Sequence, residues 1–125
     1  MNRQLIDLVL PRLAKKLYRE LQRYQAGQLD EAAFTECFET LLQKQHDWLI
    51  SRGVSEVHAA LAVHAAVLIL SLPGLRGEAA ETKLPLEVIE YRAAREAAND
   101  VAQNYGISER KALHILGRIL ARYAD

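Results

Sequence analysis

Cysteine occurs once in this chain, at Cys37, so an internal disulfide is excluded and a packed core must hold the fold. Proline appears three times and glycine six, too few for a loop-rich or low-complexity protein. There is no repeat, no Gly/Ser linker and no alternating apolar–polar run bounded by turn residues, the pattern of a half-buried strand. Net charge is also missing: sixteen basic residues balance sixteen acidic ones, which removes any global pull toward nucleic acid or an anionic membrane. The longest apolar run, residues 59–72, contains His64 and is too short to span a bilayer. The opening MNRQLIDLVLPRLAKK has a brief apolar stretch broken by Asp7, unlike a secretory signal. We expect a cytoplasmic protein without a membrane span.

Half of the residues are apolar, and 125 residues suffice for a single all-helical domain, 1–125. Helical periods mark five segments. The first covers residues 2–26, where Ile6, Leu10, Leu13, Leu17, Leu21 and Tyr24 share one stripe at about 100° per residue. Pro11 is expected to separate or kink its first turns. Gly27 stops this helix and Asp30 caps the next, residues 31–52, with Phe34, Cys37, Phe38, Leu41, Leu42, Trp48 and Leu49 inward. Gly53 and Ser55 repeat that stop and start. The third helix, residues 56–71, is apolar nearly all round and is expected at the centre, with Leu61, Val67 and Leu68 almost fully buried. Residues 72–85 read as a polar, mobile connection. A fourth helix spans 86–105, and a fifth starts at the N-cap Ser108 and runs to about Tyr123. The fold class is all-α: a compact five-helix bundle of hairpins around the central apolar helix.

Residues 19–42, RELQRYQAGQLDEAAFTECFETLL, are similar to the short helical hairpin of the SHOCT class. The likeness covers under a quarter of the chain, and no function is carried over from it. Ala102, Gly106, Ser108 and Ile115 resemble the core spacing of a helix-turn-helix over residues 97–120. That resemblance implies a reading helix with Ser108, Arg110, Lys111 and His114 near base edges. Ala112 stands where such motifs carry a larger branched residue, and the fourth helix is longer than the one that precedes such a turn. Gly followed by Ser also turns any helical corner, and the corner is the preferred reading.

Other chemistries find little support. Di-iron bundles use Glu-x-x-His pairs, and none occurs. His58 and His64, six apart, point roughly 120° from each other, and one Cys with four scattered His does not make a zinc site. Cys37 on an apolar flank reads as inert packing. Gly74 and Gly77 lack the Lys-Ser/Thr of a phosphate loop. Catalytic, metal and cofactor-binding residues are therefore expected to be absent, and the chain reads as no enzyme. Glu90 is out of place within the stripe Leu86, Ala93, Ala94, Ala97 and Val101, a position explained by water and the helix dipole near the bundle end.

Two basic faces remain. One is Arg12, Lys16, Arg19 and Arg23; the other is Arg110, Lys111, His114, Arg118 and Arg122, with Ser108 at its start. Both ends of the chain are net positive and the middle is net negative, so the neutral total hides patches suited to phosphate or an acidic protein surface. Leu5, Leu8 and Val9 lie among apolar residues on every side of the first helix, more than one chain can cover, and are expected at a contact between copies. The expected function is a non-enzymatic, adaptor-like interaction or regulatory protein that forms a homodimer or other homo-oligomer and takes a protein partner. The alternative is a DNA-binding regulator using residues 97–120.

Overall fold

The computed structural model describes residues 3–83 and 85–121, and it is all-helical there, with no strand among the described residues. The elements in chain order are α1 (Arg3–Gln25), α2 (Glu31–Ser51), α3 (Glu56–Thr82), α4 (Leu86–Tyr105) and α5 (Glu109–Leu120).

α1 follows from its stripe: Ile6, Leu10, Leu13 and Leu17, at intervals of three and four, are all buried. Of the two outcomes expected at Pro11, a separate short helix is not found: α1 runs through the proline. Pro11 faces solvent, and the residues flanking its turn, Leu10 and Leu13, are buried on the other side. Packing of the inner face thus carries the helix past the missing N–H, a defect that costs about 3 kcal/mol in an isolated helix. The turn into α2 closes with the Gln28 N–H donating to the Arg23 carbonyl at 2.9 Å and Asp30 Oδ1 accepting from the Ala33 N–H at 2.7 Å. Tyr24 stacks on Phe34 across it, ring centroids 4.7 Å apart.

α3 touches each of the other four helices, while α1 pairs with α2 and α4 with α5. Alanines make this possible. Ala59, Ala60, Ala62, Ala65 and Ala66 are buried, so neighbours approach on several sides without side-chain bulk between the backbones. Of the three large residues expected at the centre, Leu61 is buried, whereas Val67 and Leu68 are half-buried. The helix also does not stop at residue 71. It continues to Thr82 and ends at Lys83, whose φ of 59° is left-handed. Residues 72–82 are therefore helix, not a loop. Val67, Leu68, Ile69, Leu70 and Leu72, all half-buried, anchor the helix up to Pro73, and the Glu-Ala-Ala-Glu run beyond it is made of good helix formers.

α4 buries Ile89, Ala97, Ala98, Val101 and Ala102. This stripe is rotated from the expected one and leaves Glu90 half-buried on its flank. The α4–α5 corner is built as the Gly-Ser spacing implies. Gly106 takes φ +66°, a conformation that penalises any Cβ, and the Ile107 N–H reaches back to the Ala102 carbonyl at 3.2 Å. Ser108 Oγ then accepts from the Lys111 N–H at 3.1 Å. α5 inserts Ala112, Leu116 and Ile119 into the core, with Ile115 half-buried beside them. No helix among the described residues is long and apolar enough to cross a membrane.

Candidate interaction surfaces

The histidines and the cysteine are dispersed by the fold. No group of three or more His, Cys, Asp or Glu among the described residues is placed to hold a metal ion. His58 is absorbed into the α3 cap, its Nδ1 2.7 Å from Ser55 Oγ. Cys37 is half-buried on α2. His64 is half-buried too; burial lowers its pKa below 6.5, and the Asp100 carboxylate opposes that shift.

His46 and His64 nevertheless share one cavity of about 390 Å³ where α2, α3 and α4 meet. Glu39, Gln43, Asn104 and Tyr105 complete its polar side, over a floor that includes Leu42, Val63 and Val101. The Tyr105 hydroxyl lies 3.3 Å from His46 Nε2, which ties α4 to α2. His46 Nδ1 is buried and has no hydrogen-bond partner among the described residues; Asp47 Oδ1, at 3.6 Å, is too far to serve. Among the described residues no Lys, Arg, Ser or Cys lines the cavity.

On α5 the structure keeps the basic residues together. Arg110, Lys111, His114 and Arg118 are all exposed, opposite the buried face. Arg122 lies outside the described residues. Ser108 is exposed, but its hydroxyl is engaged as the helix cap. Glu109, next to this face, accepts from Arg95 Nε of α4 at 2.7 Å, an ion pair across the corner. Among the described residues Arg110, Lys111 and Arg118 form no ion pair.

On α1 the four expected cations divide. Arg12, Lys16, Arg19 and Arg23 are exposed, and Arg23 is paired with Glu20 at 3.0 Å. Arg12 and Lys16 stand at the rim of a groove of about 370 Å³ between α1 and α2. Its apolar wall is Leu8, Val9 and Leu13 from α1 and Leu41 and Trp48 from α2, and Lys44 is its third cation. Leu8 is 48% exposed, although Leu10, two residues on, is fully buried. The other two expected contact residues are less open. Leu5 is half-buried against the core, and Val9 belongs to the core itself, being three residues from Ile6 and four from Leu13.

The groove residues of α2 escaped the sequence reading because they lie on the flank of an apolar arc assigned wholly to the interior. One signal was present: Lys44 is the only Lys or Arg within α2. No family model, curated protein or solved structure matches the chain.

Proposed function

We propose that this chain is a non-enzymatic, adaptor-like interaction protein that self-associates through the amino-terminal half of α1. The reading takes the five helices as one compact bundle around α3, offering its partners preformed helical faces. The observation that carries it is Leu8. On a helix that buries Leu10, Leu13 and Leu17, this one is half exposed, and it adjoins a groove walled by Val9, Leu41 and Trp48. Apolar surface gathered in this way marks a contact site, and a two-fold dimer is the commonest closed assembly that covers it. Sedimentation at micromolar concentration tests the reading. A dimer that Leu8→Glu converts into a folded monomer supports it, and a monomer indifferent to that change refutes it. Leu8 is the residue to alter, because Leu5 packs against the core.

A second reading, DNA binding through α5, is favoured by the cluster of exposed cations on that helix. Replacing Arg110 and Lys111 with Ala should then weaken duplex binding and flatten its salt dependence by about one unit of slope per lost phosphate contact. Absence of binding at low salt removes this reading.

A further inference from the structure

The groove between α1 and α2 combines two features seldom needed together. Its floor is apolar, and its rim carries Arg12, Lys16 and Lys44 with no acidic residue lining it. We infer that the groove takes an acidic amphipathic helix of a partner protein, apolar side chains down on the floor and carboxylates out on the rim.

The placement of charge is the first support. α2 is otherwise acidic, with Glu31, Glu36, Glu39 and Asp47, yet its single basic residue stands on this rim. Asp47 is turned to Gln43 Nε2 at 2.8 Å, away from the groove cations. Arg12, Lys16 and Lys44 make no ion pair with any described residue, so all three are available to an incoming anion. Dimensions are the second support. The α1 wall runs from residue 8 to residue 16 and the α2 wall from 41 to 48, about two helical turns each, or roughly 10–12 Å at 1.5 Å per residue. A third helix laid along two packed helices meets them over that length, with anchors at i, i+3 or i+4, and i+7. The apolar floor argues against nucleic acid, which needs cations but no leucine wall. Trp48 is also already covered on one side by the Arg52 guanidinium, 5.1 Å from its ring centre.

The inference rests on the reading that the amino-terminal half of α1 is a docking face. Since Leu8 belongs to both surfaces, the partner helix and a second copy exclude each other. Trp48 is the only tryptophan, so its emission reports on the groove alone. The probe is a synthetic helical peptide with leucines at i, i+3, i+4 and i+7 and glutamates elsewhere, fluorescein-labelled so that anisotropy gives an independent measure. Its lysine counterpart, phosphatidylserine vesicles and a DNA duplex are the comparison arms. The expected result is a saturable change in both signals with the acidic peptide, reversed by salt and absent with the lysine peptide. The double variant Lys16→Glu, Lys44→Glu should weaken binding about tenfold and Leu8→Ala should weaken it further, both with an unchanged circular dichroism melt. Equal binding of the lysine peptide, or binding of vesicles or DNA without the acidic peptide, overturns the inference. A Leu8-dependent dimer that ignores the acidic peptide overturns it too, while leaving self-association standing. A monomer that binds the acidic peptide does the opposite.

Discussion

α1 and α2 form one hairpin, but they use their apolar residues differently. α1 buries Ile6, Val9, Leu10, Leu13 and Leu17, a narrow stripe matched to the seam where it meets α2 and α3. α2 is rich in large apolar residues and buries only Leu49; Phe34, Phe38, Leu41, Leu42 and Trp48 are all half-buried. The reason is geometric. The apolar arc of α2 is broader than the contact it makes with α1 and α3, its principal neighbours. Its two flanks are left to wall the two cavities: Leu41 and Trp48 on the α1 side, Leu42 and His46 on the α4 side. A helix can thus be apolar without being interior, and the excess is where contact surfaces arise.

The largest effect should come from the stripe. Leu10→Ala and Leu17→Ala are each expected to cost about 2–5 kcal/mol, because both side chains are fully buried and leave cavities. Leu41→Ala in α2 should cost less than half as much. Urea denaturation compares them, and equal losses would break the contrast between the two helices. A smaller effect is expected at the start of α2. Asp30→Ala removes the acceptor of the Ala33 N–H and should cost about 1 kcal/mol. If α2 is the more loosely held helix, hydrogen exchange in its first turns should quicken while the α1 amides stay protected. Matching acceleration in α1 would show that the hairpin opens as a unit.

The smallest effect is one of pH, and it probes the α4 flank of α2. Burial keeps the folded-state pKa of His64 below 6.5, the value of an exposed histidine. As pH falls through 6.5, the unfolded chain takes up a proton that the folded chain refuses, so stability declines. The decline stops once the folded His64 is itself protonated, and above neutral pH the residue contributes no slope. His64→Gln should flatten the stability curve on the acid side of pH 6.5. An unchanged curve would mean that water reaches His64 through the cavity.

Much of this was legible in the residues. The stripe of α1 and the Gly-Ser punctuation at 53–55 and 106–108 placed the helices, because local periodicity and capping chemistry act over a few residues. A separate helix before Pro11 and a loop at 72–82 were expected for one reason: proline and glycine weaken a helix locally. At Pro11 the packing of Leu10 and Leu13 outweighs that cost, and at 72–82 the helix continues from the half-buried residues that precede it. Glu90 was placed in the core stripe because the true stripe of α4 is rotated toward Ile89 and Ala98. Of the groove, Leu8 and the α1 cations could be named in advance. Their α2 counterparts could not, since which flank of a broad apolar arc stays open depends on how the hairpin is set against α3.

The alanines of α3 constrain which sequences this fold can explore. Ala59, Ala62, Ala65 and Ala66 are enclosed by neighbouring helices. A larger side chain at any of them overpacks the core by about 1–3 kcal/mol, and glycine loosens the helix by about 1 kcal/mol. Each position is bounded in both directions. α2, half open along both flanks, faces no such bound. Chains diverging from this one should therefore change fastest in α2 and slowest in α3, so that kinship between distant members would be read from small residues spaced along a single helix, long after the contact surfaces had been rewritten.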